Sequence, residues 1–261
     1  MTRLCTLVSG SSGNAVFLSH NGTKLLVDCG ISGSLAATAL CDIGERADEI
    51  DYILVTHEHS DHTQGVGVLS RRFDIPIIAS EGTWSSMEIG KISQKNKIVF
   101  VDNCQMDIGG IGVTPFDIPH DAQMPTGYRF DLGGRYVAVA TDIGHISDSV
   151  KAGVTGCETV ILEANYDADM LENGPYPYYL KKRIGSSHGH LCNEDAGELA
   201  AYLVGCGTKK IMLGHLSKEN NSESIAFSTV AKIMERYGIA IGKDVLMSVA
   251  PRYCVSAVIG L

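Results

Sequence analysis

Short apolar runs bounded by glycine, proline and small polar residues recur along the whole chain. Their length and their content of Val, Ile and Leu are typical of buried strands. The predicted strands cover residues 4–8, 15–19, 24–27, 51–56, 75–79, 98–101, 112–118, 128–132, 136–140, 159–162 and 210–213. Asn21-Gly22 and Gly133-Gly134 separate neighbouring runs and predict tight hairpin turns.

Amphipathic segments alternate with several of these strands. Their periodicity predicts helices over residues 34–40, 63–72, 82–90, 195–204 and 222–237. Strands that alternate with helices are typical of α/β folds, in which helices cover the sheets. No linker, repeat or low-complexity segment interrupts the pattern, so residues 1–261 are predicted to form a single domain.

Six of the predicted strands end in a titratable residue. These residues are Asp28, His57, His120, Asp142, Glu163 and His215. A hydrophobic core gives no reason to repeat that arrangement, whereas one pocket lined by successive strand ends does. The pattern therefore predicts a single polar site built from distant parts of the chain.

The segment from Val55 to His62 carries the densest chemistry, with three histidines and two carboxylates. Positions i and i+2 of an extended backbone share a face, so His57 and His59 are expected to point the same way. Isolated surface histidines are the alternative, but four potential ligands in one short segment favour a metal site. The spacing differs from the helical His-Glu-x-x-His motif of metalloproteases.

A site for two divalent metal ions needs about this many ligands. The predicted set is His57, His59 and His120 on one ion, Asp61, His62 and His215 on the other, and Asp142 as the bridge. Zinc, manganese and iron all accept these ligands, so the identity of the ions stays open. Two such ions would activate a bridging hydroxide for attack on a phosphoryl or carbonyl centre, with Asp61 as a proton acceptor. Asp28 and Glu163 are expected to orient ligand histidines.

The composition indicates the class of protein and the cellular compartment in which this predicted metal site occurs. A hydrophobic content of 44% is typical of a globular protein, and no apolar stretch is long enough to span a membrane. Scattered cysteines without an apolar leader predict reduced thiols in a cytoplasm, with Cys29 and Cys192 packed rather than ligating metal. A net charge of −9 disfavours nonspecific binding of nucleic acid over the whole surface.

The ordered motif His57-x-His59-x-Asp61-His62, followed by His120, Asp142 and His215, resembles the metallo-β-lactamase superfamily. The resemblance covers nearly the whole chain and implies a four-layer αβ/βα sandwich with two metals at one edge between its sheets. It points to the dinuclear hydrolases, because no cysteine stands among the proposed ligands. Asp142 and His215 are only 73 positions apart, too few for the β-CASP insertion of some related nucleases.

Shorter motifs resemble a narrower group of this superfamily, the YycJ/WalJ/VicX nucleases. They are residues 9–14 (SGSSGN), 163–167 (EANYD), 174–177 (GPYP), 183–184 (RI), 189–193 (GHLCN) and 215–221 (HLSKENN). The resemblance implies a cytoplasmic bacterial exonuclease that degrades double-stranded DNA in the 5′-to-3′ direction. Cys192 replaces the serine expected in this group, which puts phosphate affinity in doubt more than catalysis.

Gly189-His190 also resembles the histidine loop of the tRNA 3′-processing nucleases. That resemblance implies that His190 protonates the leaving oxygen or stabilises the transition state. The alternative is a structural role for His190, as a cap of the following helix or a partner of the backbone.

Residues outside the ligand set are expected to contact substrate, namely Ser11, Asn14, Lys181, Arg183 and Asn193. The loop 9–14 offers backbone N–H groups to a phosphate, or is a plain turn. Lys181-Lys182-Arg183 follows a group of tyrosines, and together they suit a phosphate and a stacked base. The alternative there is a solvated helix face with buried tyrosines.

The leading hypothesis is a metal-dependent phosphodiesterase that acts on DNA. A thioester or lactone hydrolase and an RNA-processing nuclease remain alternatives, because hydroxide attacks either kind of centre. His190 favours a phosphodiesterase, since an alkoxide leaving group needs a proton and a thiolate does not. A regulatory protein without activity is disfavoured, because buried acids and histidines are costly without a metal. Oligomeric state is not predicted.

Overall fold

The apolar runs of the sequence form two mixed β-sheets in a computed structural model that describes residues 2–101 and 104–261. The strands are β1 (Thr2–Val8), β2 (Ala15–His20), β3 (Thr23–Val27), β4 (Tyr52–Leu54), β5 (Ile77–Ala79), β6 (Lys97–Val99), β7 (Met106–Ile108), β8 (Ile111–Asp117), β9 (Thr126–Asp131), β10 (Tyr136–Ala140), β11 (Thr159–Glu163), β12 (Lys210–Gly214), β13 (Leu246–Val249) and β14 (Ile259–Gly260).

The helices are mostly short and lie between the strands in sequence. They are α1 (Gly33–Asp42), α2 (Ser60–Thr63), α3 (Val66–Phe73), α4 (Glu81–Ser86), α5 (Asp148–Val154), α6 (Ala168–Asn173), α7 (Tyr178–Ile184), α8 (Asn193–Gly205) and α9 (Glu223–Arg236). Serine side chains cap several of them, and Ser222 accepts from the backbone N–H of Ile225 at the start of α9.

The described residues divide into two compact units, each with its own hydrophobic core. Unit 1 comprises the chain up to Thr114, Ala122–Thr126 and Pro251–Leu261, and unit 2 comprises Pro115–Asp121 and Gly127–Ala250. The prediction of one domain over residues 1–261 stays a prediction. No helix among the described residues combines the length and the apolarity needed to cross a bilayer.

Unit 1 is built on a seven-stranded sheet of order β14-β1-β2-β3-β4-β5-β6. Its first four strands are antiparallel, and β3 to β6 are parallel. Strand β4 pairs with β3 in the register Ile53 to Leu26, which brings the ends of both strands to the same edge. Asp28 and the histidine motif follow those two ends, so the sheet places them together.

Unit 2 is built on a second sheet, in which parallel strands again bring titratable residues to one edge. Strands β10, β11, β12 and β13 are parallel neighbours, and β9 pairs antiparallel with β10. Ala140, Leu162 and Leu213 are register partners near the ends of three adjacent strands. Asp142, Glu163 and His215 come at or just after those positions, so parallel pairing gathers them at one edge of the sheet.

Two helix predictions in unit 1 are wrong in their bounds. The helix expected over residues 82–90 ends at Ser86. The helix expected over residues 63–72 begins at Ser60 and is interrupted at Gln64-Gly65 before α3 starts. A side chain on Gly65 would overlap the Ile31 carbonyl and the Cys29 sulfur. The helix therefore breaks where two loops approach closely. The hydrophobic periodicity of residues 63–72 gives no sign of that contact.

Candidate functional site

Four predicted metal ligands of unit 1 follow β4 within six residues, and we call them the unit 1 cluster: His57, His59, Asp61 and His62. His57 and His62 are buried, while His59 and Asp61 are half-buried. His57 Nε2 lies 3.0 Å from His59 Nδ1. Two nitrogens bound to one tetrahedral metal ion are roughly 3.4 Å apart, so these rings already converge like ligands of one ion.

A buried carboxylate positions two histidines of the unit 1 cluster. His62 Nδ1 donates to Asp28 Oδ2 over 2.8 Å, and the Thr56 hydroxyl donates to the same oxygen over 2.9 Å. Thr56 Oγ1 then accepts from His57 Nδ1 over 3.0 Å. Protons on both Nδ1 atoms leave the Nε2 lone pairs for a metal. The predicted orienting role of Asp28 is confirmed, whereas the contribution of Thr56 was missed.

Backbone hydrogen bonds fix the loop that carries the unit 1 cluster. Asn14 N donates to Asp61 O and Cys29 N donates to His62 O, both over 2.8 Å. A Cβ at Gly30 would overlap the Asp61 carbonyl, so this glycine permits the close approach. Asn14 itself is buried, with Nδ2 3.1 Å from His62 Nε2. Its predicted contact with substrate stays a prediction.

Five titratable side chains of unit 2 form a second group, the unit 2 cluster: His120, Asp142, Glu163, His190 and His215. Asp142 Oδ1 lies 3.4 Å from His215 Nδ1 and 3.7 Å from both His120 Nε2 and His190 Nδ1. One buried carboxylate thus stands among three imidazoles, an arrangement typical of a metal site.

Glu163 is completely buried, and hydrogen bonds occupy both of its oxygens. Oε1 accepts from His215 Nδ1 over 2.7 Å and from His190 Nδ1 over 2.9 Å. Oε2 accepts from the backbone N–H groups of Ile143 and Leu191, over 2.6 and 3.0 Å. Burial raises the pKa of Glu163, but His190 and His215 together lower it further, so the net pKa lies well below its ordinary value. The predicted orienting role of Glu163 is confirmed for two histidines at once.

A backbone carbonyl orients the ring of His120. Its Nδ1 donates to Gly189 O over 2.9 Å. Burial lowers the pKa of His120, which favours the neutral ring with a lone pair on Nε2. A Cβ at Gly189 would overlap the carbonyls of Arg183 and Ile184. The contact depends on a glycine whose only signal in the sequence is its place before His190.

Two residues of the unit 2 cluster, and the carboxylate that orients His62 in unit 1, share a left-handed backbone conformation that non-glycine residues rarely adopt. Asp28, Asp142 and His215 have φ angles of 60°, 63° and 56°. Each comes within two residues of a strand end, after β3, β10 and β12 respectively. The left-handed region costs a non-glycine residue roughly 1–2 kcal/mol, and such strain concentrates at functional sites.

The donor atoms of the two clusters fit divalent metal ions. Neutral imidazoles and carboxylates are the ligands that zinc, manganese and iron sites use. Buried hydrogen-bond partners hold His57, His62, His120 and His215 so that Nε2 carries the lone pair. Residues arranged in this way can bind metal and place a nucleophile against an electrophilic centre.

His190 differs from the other histidines in its exposure. Its side chain is 18% exposed, and its Nδ1 faces Glu163, so Nε2 is the atom available to a substrate. The alternative of a helix cap is wrong, because the cap of α8 is Cys192, whose sulfur accepts from Asp195 N over 3.4 Å. Its role as a proton donor stays a prediction.

The two cysteines beside the motifs serve packing and capping. Cys29 is buried, and Cys192 caps α8. Neither belongs to a group of potential metal ligands within the described residues. Burial raises the pKa of Cys192 to about 12, so the thiol stays protonated. The expectation that neither cysteine ligates metal agrees with these contacts.

The predicted substrate residues lie in different environments. Ser11 is exposed on the loop before β2, as a phosphate-binding residue would be. Asn193 is fully buried and exchanges hydrogen bonds with Asn221 over 2.9 and 3.1 Å. The assignment of both residues to substrate binding stays a prediction.

The basic triplet Lys181-Lys182-Arg183 forms the last turn of α7. Arg183 Nε donates to Asp121 Oδ2 over 2.5 Å, and Lys181 Nζ donates to Glu172 O over 2.6 Å. Tyr178 and Tyr179 are more than two-thirds exposed, so the alternative of buried tyrosines is wrong for this pair.

Comparison with solved structures identifies the fold. The metallo-β-lactamase fold protein YhfI from Bacillus subtilis superposes with a TM-score of 0.74 at 17% identity, covering 98% of both chains. The predicted metallo-β-lactamase fold is confirmed, with two mixed sheets and flanking helices.

Comparison of sequences identifies the family. Residues 23–216 match the beta-lactamase superfamily domain. Exodeoxyribonuclease WalJ of Streptococcus pneumoniae is 40% identical over 242 residues, which are 91% of this chain and 90% of that protein. Exodeoxyribonuclease YycJ of Bacillus anthracis is 40% identical over 239 residues with the same coverage. The chain therefore belongs to the beta-lactamase superfamily and, within it, to the family of WalJ and YycJ.

Proposed function

We propose that this protein is a metal-dependent phosphodiesterase that degrades DNA as an exonuclease. The observation that carries the proposal is the 40% identity, over 91% of the chain, to a relative named exodeoxyribonuclease. The clusters of oriented histidines and carboxylates support it, because hydrolysis of a phosphodiester at neutral pH needs bound metal ions or an equivalent source of charge. By resemblance to the group, digestion proceeds in the 5′-to-3′ direction.

The proposal includes two divalent metal ions. The assigned ligands are those predicted from the sequence: His57, His59 and His120, then Asp61, His62 and His215, with Asp142 shared. When bound, such ions lower the pKa of a coordinated water and stabilise negative charge on the phosphate oxygens. Family membership and the donor chemistry of each cluster support this assignment, and zinc, manganese and iron all suit it.

The protein's own contribution to the reaction is orientation and proton transfer. Glu163 holds His190 by Nδ1, which aims Nε2 away from the carboxylate. The Nε2 proton of His190 passes to the leaving oxygen as the P–O bond breaks. Asp61 is assigned the proton of the attacking water. By resemblance to the YycJ/WalJ/VicX group, we place the protein in the cytoplasm.

Hydrolysis of a 5′-phosphorylated linear duplex with Mn²⁺ tests the proposal. We expect His57→Ala and Asp142→Asn to lower the rate roughly a hundredfold or more, because the first removes a ligand and the second replaces a negatively charged ligand with a neutral amide. Asparagine is chosen at position 142 because it tolerates the left-handed backbone. Metal content of each purified variant is measured in parallel.

Glu158→Gln provides the matched control, since Glu158 pairs with Arg135 outside both clusters and is expected to leave the rate unchanged. His190→Ala should lower kcat with little change in KM, as expected for loss of a proton donor. Wild-type activity on a thioester or on RNA, but not on DNA, would overturn the proposed substrate.

A further inference from the structure

Helix α7 contributes almost nothing to the core of unit 2. None of its seven residues is buried. Tyr178 and Tyr179 are 71% and 75% exposed. A seven-residue helix is too short to be stable by itself in water. Two neighbouring tyrosines that do not pack in the core are available to contact a ligand.

The exposed tyrosines are accompanied by positive charge. Lys182 Nζ lies 5.0 Å from the centre of the Tyr178 ring, and Lys181 lies one residue earlier in the same turn. Three consecutive basic residues are notable in a chain with a net charge of −9. Aromatic faces beside lysines are the combination that proteins use to bind single-stranded nucleic acid.

The C-terminal end of α7 is fastened to the unit 2 cluster. Arg183 Nε pairs with Asp121 Oδ2 over 2.5 Å, and Asp121 Oδ1 lies 3.3 Å from His120 Nε2. His190 N donates to Ile184 O over 2.9 Å, at the last residue of the helix. Arg183 therefore links α7 to His120 through Asp121. Its predicted contact with substrate stays a prediction.

The length of the helix sets how far its tyrosines stand from the cluster. Tyr178 and Arg183 are five positions apart, which corresponds to about 7.5 Å along a helix axis. Stacked nucleotides in a strand are separated by about 3.4 Å. The tyrosines thus stand about two nucleotides from the tethered end of the helix.

We propose that Tyr178, Tyr179 and Lys182 form a stacking platform for unpaired bases of the DNA strand at the active site. The platform deepens the proposed function and rests on it. Stacking needs unpaired bases, so the occupant is a single-stranded end rather than intact duplex. Lys181 and Lys182 would neutralise the phosphates that accompany those bases.

Binding of fluorescent DNA, measured by anisotropy without catalysis, tests the platform directly. We expect the double variant Tyr178→Ala/Tyr179→Ala to bind a single-stranded oligonucleotide roughly tenfold or more weakly, with a smaller effect on blunt duplex. Tyr178→Phe/Tyr179→Phe keeps both ring faces and should bind like the wild type. Tyr237→Ala removes a tyrosine that is 61% exposed after α9 and serves as the matched control.

Hydrolysis of bis(p-nitrophenyl) phosphate separates the platform from the catalytic residues. This small diester has no bases to stack along α7, so the alanine variant should cleave it at the wild-type rate and cleave DNA with a raised KM. Equal binding of single strands by the alanine variant and the wild type would overturn the platform. Failure of the wild type to cleave DNA, with stacking intact, would instead overturn the proposed exonuclease.

Discussion

At the scale of single residues, the site depends on side chains that never need to touch substrate. Glu163 is the clearest case, because one of its oxygens accepts from two histidines and the other from two backbone N–H groups. In unit 1, Asp28 and Thr56 likewise accept hydrogen bonds from the Nδ1 atoms of His62 and His57. The four histidine rings that these side chains contact are thereby held in one tautomer, which favours metal binding through Nε2 at His57, His62 and His215.

Glu163→Gln provides the residue-scale prediction. The amide keeps the size of the side chain, but its NH₂ group faces N–H donors and cannot accept from them. We expect a 10- to 100-fold loss of metal affinity or activity, on the order of effects seen for other partners of ligand histidines. Isothermal titration with Mn²⁺ and a rate assay would measure both. Full retention of metal affinity would show that the hydrogen bonds of Glu163 are dispensable.

At the scale of elements, caps and close approaches decide where helices begin and end. Cys192 caps α8 through a thiol that burial keeps protonated, with its pKa raised to about 12. Sulfur is a weak acceptor, whereas serine is among the preferred cap residues. Replacing the sulfur of Cys192 with the oxygen of serine is therefore expected to stabilise α8.

Cys192→Ser should raise the free energy of unfolding by about 0.5–1 kcal/mol, measured by urea denaturation. Cys254→Ser changes an exposed cysteine outside the helices and provides the control. A lower or unchanged stability of Cys192→Ser, with the control also unchanged, would contradict the capping argument.

The sequence predicts the elements whose boundaries are local. Strand β10 has the bounds expected from its apolar run, because Gly133-Gly134 and a polar residue flank it. The break at Gly65 was not predictable, since it reflects a contact with a loop more than thirty positions earlier. Helix α7 was considered only as an alternative, a solvated helix face, because an exposed helix has no apolar periodicity. Residue type alone indicates which side chains could bind a metal ion. That His190 and His215 share one oxygen of Glu163 is known only from the distances in the structure.

At the scale of the whole molecule, charge shapes how DNA is bound. A net charge of −9 opposes nonspecific attraction, so affinity has to come from a few local contacts. Lysines near the platform are the expected source of the salt dependence. Binding should accordingly weaken only modestly as salt rises.

The plot of log K against log salt measures this dependence. We expect Lys181→Ala/Lys182→Ala to make its slope shallower by roughly 1 to 1.5, since each phosphate contact to a single strand contributes about 0.7. Lys243→Ala, an exposed lysine outside α7, should leave the slope unchanged. An unchanged slope in the double variant would mean that other residues meet the phosphates.

The left-handed backbone at Asp28, Asp142 and His215 has a consequence for how such a site is inherited. Each position must satisfy a conformational demand and a chemical one, and few side chains meet both. Glycine would meet the first at lower energy while abandoning the second. At Asp28 glycine would also leave the buried donors of Thr56 and His62 without their acceptor. Folding therefore helps to keep Asp28 in place, in addition to any selection for the reaction.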